Sequence, residues 1–335
     1  MIIWGQFILC TAVIVFSGSR LSLYGDVIAE RTGMSKTWIG VVLIASVTSL
    51  PELITGLSAV AVFDLPNIAA GDVLGSCMFN ILIIALLDFI GGPTPLSARA
   101  HQGQVLTAGF GILLLGLVGL SLAANAVIPQ IGWISASSFV ILGLYLVAMR
   151  TVFLYERKRA AEVAREIVGE TKYGHVSSAR AYSLYGLNAA VIIVAATLLP
   201  YLGERIAEGT GLGTMFVGSI FVAFSTSLPE VVVSVSALRI GAVDIALGNL
   251  FGSNLFNIGI LALDDVLYTK GPLIAQISAG HQVSVMAAIA MTAVAVIGLT
   301  YQLTRKLRFF AWDSVAIAII YVLAISILYV AGTGK

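Results

Sequence analysis

The chain has 335 residues, of which 59% are hydrophobic and only 10% are charged, and its mean hydropathy is +1.02. Soluble domains carry about 25% charged residues, so this composition excludes an ordinary globular enzyme and predicts an all-α polytopic membrane protein. The formal net charge of +1 does not indicate a nucleic-acid partner. The hydrophobic composition predicts that the lipid bilayer surrounds the chain.

Ten stretches reach the roughly 20 apolar residues that a helix needs to cross a bilayer. In chain order they are 2–23, 37–61, 67–90, 103–123, 128–150, 180–201, 212–237, 242–268, 279–300 and 312–331. The first has neither a positively charged start nor a convincing cleavage site, so we expect a retained helix rather than a signal peptide. One long hydrophilic loop, 151–179, separates the fifth predicted span from the sixth.

The distribution of Lys and Arg residues orients these spans. With the N-terminus outside, only Arg205, Lys270 and Lys335 of the eighteen Lys and Arg residues fall outside. Because cytoplasmic loops carry the excess of positive charge, this arrangement is the favoured one. The sequence therefore predicts that both termini lie outside and that the 151–179 loop is cytoplasmic.

Two short motifs each occur twice, at nearly the same separation. The motif Thr-Ser-Leu-Pro-Glu fills 48–52 and 226–230, and Gly-Ser-x-x-Phe-Asn fills 75–80 and 252–257. The glutamates are 178 residues apart and the final asparagines 177, so the first copy is expected to hold one extra residue, near 64–66.

This duplication predicts a first five-helix repeat, 1–150, and a second, 180–335, joined by the 151–179 loop. Five is an odd number, so the second repeat enters the membrane from the opposite side. Inverted repeats of this kind are common in secondary transporters, which bind their substrates at the midplane between the two halves.

The chemistry of the motifs points to a cation. A carboxylate in the hydrocarbon costs several kcal/mol unless it faces a cavity or a partner, and Glu52 and Glu230 place one there twice. Each follows a proline, which frees backbone carbonyls inside the span. Hydroxyl and amide side chains share a helix face with one another or with a glutamate, at Thr48, Ser49, Ser76, Asn80, Thr226, Ser227, Ser253 and Asn257. Such oxygens suit hard cations such as Ca²⁺ and Na⁺.

Charge explains why such a site would favour exchange. Two ionised glutamates that meet carry a charge of −2, which one Ca²⁺ or two Na⁺ would neutralise. An empty site would leave the two carboxylates repelling each other in a medium of low dielectric constant. The loaded forms should therefore cross between the two access states more easily than the empty one.

Four aspartates in the predicted spans stand outside these motifs. Asp72 has Asn249 as its counterpart in the repeat, and we interpret it as a vestibule or relay carboxylate. Asp88, Asp264 and Asp265 fall near the ends of their spans and are expected at the membrane interface.

The paired motifs resemble the alpha-repeats of the cation/calcium exchanger superfamily, and most closely the prokaryotic-type sodium/calcium exchangers. The resemblance implies that the first and sixth helices form a tilted pair that slides across the other eight. It also implies that Ca²⁺ binds between Glu52 and Glu230, helped by backbone carbonyls near Ala45, Thr48, Ala223 and Thr226. Sodium ions would occupy flanking positions at Ser49, Ser76, Ser227 and Ser253, with Asn80 and Asn257 in the central polar cluster.

The resemblance thus predicts an antiporter of a prokaryotic inner membrane that exchanges Ca²⁺ for Na⁺ and needs no cofactor beyond these transported ions. Three departures leave the coupling ion open. Some relatives carry Asp where this chain has Asn257, Cys77 stands where the second repeat has Asn254, and Asp72 stands where it has Asn249.

The first alternative is a proton/divalent antiporter for Ca²⁺ or Mg²⁺ that uses the same glutamates. An intramembrane enzyme has less support, because no His pairs with a Ser and no His-Glu-x-x-His segment occurs. A channel fits the inverted, broken halves less well than alternating access does. The sequence does not determine the oligomeric state.

Overall fold

The computed structural model describes residues 2–32, 48–163, 178–302, 306 and 310–333. Nearly all of the described chain is helical, and its one small sheet is a hairpin of two short strands. The elements of the first half are α1 (Ile2–Thr32), α2 (Leu50–Ser58), a π-helical turn (Ala59–Phe63), α3 (Pro66–Ile90), α4 (Leu96–Arg99), α5 (Gln104–Ala123), β1 (Gln130–Ile131), β2 (Ile134–Ser135) and α6 (Ala136–Val163).

The second half repeats much of this order. Its elements are α7 (Ser178–Thr210), α8 (Thr214–Val217), a π-helical turn (Gly218–Val222), α9 (Ala223–Thr226), α10 (Leu228–Arg239), α11 (Val243–Leu267), α12 (Leu273–Gln276), α13 (His281–Tyr301) and α14 (Trp312–Thr333).

Among the described residues, eight helices are long and apolar enough to cross a membrane, and a bent pair gives a ninth. The bent pair runs from Thr214 to Arg239 and turns by 44° at Ser227. The second predicted span, 37–61, is described only from residue 48 onward, as α2 and the turn after it. Ala45 lies outside the described residues, and the count of ten spans stays a prediction.

Three predicted boundaries are wrong. The fifth span was expected from residue 128, but residues 130–135 form a hairpin that turns at Gly132, whose φ is +66°. The helix then begins at Ala136 and continues to Val163, inside the segment predicted as a loop. Helix α7 extends nine residues past its predicted end, through an exposed polar turn that contains the ion pair Arg205–Glu208 (N–O distance 2.9 Å).

Helices α3 and α11 form the centre of the molecule. Their most apolar segments are 67% and 89% buried, against 17% for α14. A helix that is apolar on all sides is expected in such a position. The two helices meet at Cys77 and Asn254, where the Asn254 side chain donates a hydrogen bond to the Cys77 carbonyl (3.1 Å). Each of the two central helices carries one of the repeated Gly-Ser-x-x-Phe-Asn segments.

Helices α1 and α7 pack against each other and form a hydrophobic cluster separate from the main core. This pair touches the broken helices of both repeats: α7 packs on α2, where Thr55 donates a hydrogen bond to the Ala196 carbonyl (3.3 Å), and α1 packs on the second repeat. Thr11 donates a hydrogen bond to Ser225 (2.9 Å), and a Cβ on Gly18 would lie 2.8 Å from Pro229. Their cluster also includes Ile68, Val217 and Val222 from the rest of the molecule, and the sliding of this pair stays a prediction.

Two aspartates expected at the interface prove to be buried helix caps at equivalent positions of the two repeats. Asp88 accepts the backbone N–H of Leu96 (2.7 Å), which opens α4, and Asp265 accepts that of Leu273 (2.6 Å), which opens α12. Asp88 also pairs with Lys306 (3.2 Å), and both side chains are 2% exposed. The capping bonds hold these carboxylates inside the protein. Because the two caps lie at equivalent positions, the repeat extends beyond the two motifs.

The connection before α3 contains the extra residue that the unequal separations predicted. Glu52 and Pro66 are fourteen positions apart, whereas Glu230 and Val243, which begins α11, are thirteen apart. The first copy accommodates its longer connection with the π-helical turn and with Asp64, whose φ is +59°. Lys270 (2.5 Å) and Tyr268 (3.0 Å) contact the Asp64 carboxylate and lower its pKa.

Replacing Gly75 with alanine should destabilise the protein. An added Cβ would overlap the carbonyl of Ser219 and lie 2.8 Å from the Ala223 side chain, so α3 would have to move away from the second repeat. Overpacking of this kind costs about 1–3 kcal/mol. We expect a lower melting temperature for the detergent-purified variant.

Gly116→Ala is the matched control, because nothing lies within 4 Å of the added atom. Alanine is favoured over glycine inside a helix by about 1 kcal/mol, so this variant should be as stable as the parent or more so. Equal melting temperatures for the Gly75 and Gly116 variants would contradict the close approach of α3 to Ser219.

Candidate cation-binding site

The two Leu-Pro-Glu segments break their helices in the same way. Ser49 (φ −85°, ψ 12°) precedes α2 and Ser227 (φ −86°, ψ 4°) precedes α10, so in each repeat a new helix begins at the following leucine. Proline then lies in the first turn, where its missing N–H would have no helical partner. The glutamate also lies in the first turn, at the positive end of the helix dipole, where a negative charge is favoured.

The two glutamates are bound by hydrogen bonds that cross between the repeats. Ser227 Oγ donates to Glu52 Oε1 (3.0 Å), and Ser49 Oγ donates to Glu230 Oε1 (3.2 Å). Both carboxylates are fully buried. Each glutamate therefore lies against the helix break of the opposite repeat, as a two-fold related pair would.

The serines of the central helices complete this arrangement. Ser253 Oγ on α11 donates to Glu230 Oε1 (3.3 Å). Ser76 Oγ on α3 lies 2.9 Å from Ser227 Oγ and 3.5 Å from Thr226 Oγ1. The hydroxyls predicted from the two motifs thus meet around the glutamates in one buried cluster.

The threonines of the two motifs also form equivalent contacts. Thr48 Oγ1 donates to Asn249 Oδ1 (3.2 Å), and Thr226 Oγ1 donates to Asp72 Oδ1 (2.7 Å). Asn249 occupies the position of Asp72 in the second repeat, so amide and carboxylate play the same part in this contact. Asp72 thereby adjoins the cluster directly.

Asparagines lie at the centre, where α3 meets α11. Asn80 Nδ2 donates to Asn254 Oδ1 (3.0 Å), which links the two repeats. From the sequence, Asn254 was recognised only as the counterpart of Cys77 and was not among the predicted site residues. Its place inside the second Gly-Ser-x-x-Phe-Asn segment was the signal that could have identified it.

Several oxygens in this cluster lack a hydrogen-bond partner among the residues that the structure describes. They are Glu52 Oε2, Glu230 Oε2, Asn80 Oδ1 and Asn257 Oδ1, and all four residues are fully buried. Buried acceptors without donors are costly unless something positive lies between them. Carboxylate and amide oxygens are ligands that hard cations use, so the cluster has the chemistry of a cation site.

Two of the predicted ligands, Ala223 and Ala45, would contribute backbone carbonyls rather than side chains. The carbonyl of Ala223 accepts the N–H of Ser227 (3.1 Å), and the Thr226 hydroxyl, whose one proton goes to Asp72, lies 3.2 Å away. A carbonyl has two lone pairs, so one remains for contact with an ion. Ala45, the equivalent position in the first repeat, is outside the described residues.

A resident metal centre has no support in the described part of the chain. There, no group of three or more His, Cys, Asp or Glu side chains is placed to hold a metal ion. The cluster instead mixes two carboxylates with hydroxyls and amides, which is suited to an ion that must also leave.

Comparison with known proteins places this geometry in a family. The family model described as sodium/calcium exchanger protein matches residues 2–154 and 181–330. Inner membrane protein YrbG of Escherichia coli is 28% identical over 268 residues, which are 78% of this chain and 78% of that protein. Sodium/calcium exchanger MaX1 of Methanosarcina acetivorans is 34% identical over 144 residues, which are 43% of this chain and 39% of that protein.

A solved structure shows the same fold. The sodium-calcium exchanger NCX_Mj superposes with a TM-score of 0.63 at 24% sequence identity, over 97% of this chain and 98% of that one. The family match covers both halves of the chain and both copies of each motif. The chain is therefore an integral membrane protein that belongs to the sodium/calcium exchanger family, a family of ion exchangers rather than enzymes.

Proposed function

We propose that this protein exchanges Ca²⁺ for Na⁺ across the membrane by alternating access, with the divalent ion between Glu52 and Glu230. The observation that carries this proposal is the pair of crossed hydrogen bonds from Ser227 and Ser49 to the opposite glutamates. They leave one oxygen of each carboxylate without a partner, so two carboxylate oxygens are available for one ion.

The remaining ligands of the proposed site follow from the same cluster. Thr48, Thr226 and Asn80 lie around the glutamates with Asn257, and Ala223 and Ala45 would contribute carbonyls. Sodium would occupy flanking positions at Ser49, Ser76, Ser227 and Ser253, where hydroxyls lie close together but only a glutamate supplies charge. Ca²⁺ takes about 6–8 oxygen ligands, which the two halves can supply together.

Exchange rather than one-way transport follows from the charge of the empty site. Two buried carboxylates in a medium of low dielectric constant repel each other, and a cation that neutralises them removes that penalty. The movement between outward-open and inward-open states should therefore be fastest when the site is loaded.

The orientation that we propose places both termini outside and the 151–179 loop in the cytoplasm. It rests on the distribution of Lys and Arg residues.

A proton/divalent antiporter is the second candidate. Both repeats end their motif in an asparagine, Asn80 and Asn257, so the paired motifs carry only the two glutamates as charged groups. Two protons would neutralise this charge as well as two sodium ions would. The two candidates differ in which gradient drives divalent transport.

Glu52→Gln or Glu230→Gln should abolish the uptake of radioactive Ca²⁺ into proteoliposomes that carry an outward Na⁺ gradient. Each variant keeps the side-chain volume but removes half of the charge that holds the divalent ion. Glu208→Gln is the matched control, because this glutamate is exposed and pairs only with Arg205. Uptake by either site variant at the rate of the control would refute the proposed site.

The coupling ion can be identified by imposing the two gradients separately. An outward Na⁺ gradient at equal pH should drive Ca²⁺ uptake, and a pH gradient without Na⁺ should not. Uptake that follows the pH gradient and ignores Na⁺ would favour the proton antiporter. Mg²⁺ offered in place of Ca²⁺ under each gradient then tests the divalent specificity.

The same charge argument predicts the stability of the empty protein. In a Na⁺-free buffer with a Ca²⁺ chelator at pH 8, Glu230→Gln should raise the melting temperature by about 3 °C, because it removes the repulsion between two buried carboxylates. Added Ca²⁺ should raise the melting temperature of the parent protein by more than that of the variant, which lacks half of the charge of the central site. A parent that melts above the variant in the chelator would mean that the empty site is already neutral.

A further inference from the structure

A second pair of buried carboxylates lies beside the central cluster. Asp72 on α3 and Asp264 on α11 are both fully buried. Neither oxygen of Asp264 has a hydrogen-bond partner among the residues that the structure describes, and neither does Asp72 Oδ2. Asp264 was expected at the membrane interface, and its complete burial needs a different explanation.

Gly56 provides the space that the Asp264 carboxylate occupies. A Cβ on this glycine would lie 2.6 Å from Asp264 Oδ2 and 2.9 Å from Oδ1, so no larger residue would leave the carboxylate in place. Gly56 follows Glu52 by four residues, which is about one helical turn or 6 Å along α2. The carboxylate of Asp264 is thus one turn away from the level of the central glutamate.

The second repeat shows which way Asp72 faces. There, Asn249 accepts from Thr48 with its oxygen and donates to Ser234 Oγ with its nitrogen (3.1 Å). In the first repeat Asp72 accepts from Thr226 with Oδ1, and the counterpart of Ser234 is Gly56. By this equivalence we expect Asp72 Oδ2 to face Gly56, where the Asp264 carboxylate lies in the space that a hydroxyl fills in the second repeat.

Two carboxylates therefore approach the same place, and no donor from the described residues lies between them. Buried acceptors that face each other need a positive partner, because repulsion and lost hydration would otherwise drive them apart. We propose that Asp72 and Asp264 form a second cation site, next to the Glu52–Glu230 site and separate from it.

This second site is on one side of the central site only. The repeat counterpart of Asp264 is Leu87, and that of Asp72 is Asn249, so the other half has no equivalent pair of carboxylates. Asp264 precedes Tyr268 by one turn, and the Tyr268 hydroxyl donates to Asp64 in the exposed loop before α3 (3.0 Å). The pair thus lies between that membrane surface and the central glutamates.

Its position suits a staging site for the transported cation. Negative charge in a narrow, poorly solvated passage raises the local concentration of cations and their rate of entry. The inference goes beyond the proposed exchange, and it depends on that proposal only in taking the transported ion to be a cation. The other surface, without such a pair, would receive ions with lower apparent affinity.

Binding of Ca²⁺ to protein that lacks the central site tests the proposal. In Na⁺-free detergent solution, isothermal titration calorimetry of the Glu52→Gln, Glu230→Gln double variant should still detect Ca²⁺ binding. Adding Asp264→Asn should abolish it, whereas adding Asp64→Asn should not. Asp64 is the matched control, because it is an exposed carboxylate at the same surface and pairs with Lys270 (2.5 Å).

Gly56→Ala provides a second route to the same result, since the added Cβ displaces the Asp264 carboxylate without changing the charge of the protein. Each variant is first checked for a single symmetrical peak by size-exclusion chromatography. An absence of binding to the double variant, or binding that survives both Asp264→Asn and Gly56→Ala, would overturn the second site. If the two carboxyl groups shared a proton instead of a cation, the double variant would show no Ca²⁺ binding.

Transport measured from the two surfaces supplies an independent readout. With the otherwise unchanged protein, Asp264→Asn should raise the Ca²⁺ concentration for half-maximal exchange about fivefold at the surface that carries Asp64, and leave the other surface unchanged. The effect should shrink at high ionic strength. Equal effects at both surfaces would show a structural role and refute the staging site. The central glutamates are intact here, so this test and that of the central site can fail separately.

Discussion

The whole arrangement depends on the cost of placing an ionisable carboxylate in the middle of a membrane. That cost is several kcal/mol for a glutamate without partners, and the chain contains two such residues in equivalent broken helices. Each is bound by a serine of the opposite repeat, Ser227 for Glu52 and Ser49 for Glu230. The crossed bonds mean that each half donates a hydrogen bond to the glutamate of the other, so the two repeats complete each other's site before any ion binds.

The features that could be predicted from the sequence are those that the duplication repeats. Two motifs at matched separations predicted the broken helices and one polar site shared by the two halves, because inverted repeats bind their substrates at the midplane between them. The predicted hydroxyl cluster could be listed without coordinates. The hairpin at 130–135 is not part of the repeat, and it was not predicted. Hydropathy detects the length of an apolar segment and carries no information on backbone hydrogen bonding.

The aspartates show a second limit of sequence reasoning. Position near a helix end predicted an interfacial setting for Asp88, Asp264 and Asp265, yet all three are buried. Two of them cap short helices that follow in the chain, and a capping contact eight residues away has no periodic signal. The third fills space left by Gly56, a residue on another helix, and only a structure reveals such a contact.

The way in which the repeats differ says more about mechanism than the way in which they agree. Perfect two-fold symmetry would give the central site the same surroundings toward each membrane surface, and ions would then see the same approach from both sides. Here the pair Asn249 and Ser234 is closed by its own hydrogen bond, whereas Asp72 and Gly56 leave the equivalent place open to Asp264. The two membrane surfaces therefore differ in the approach that they offer to an ion, and the difference lies within one helical turn of the central glutamate.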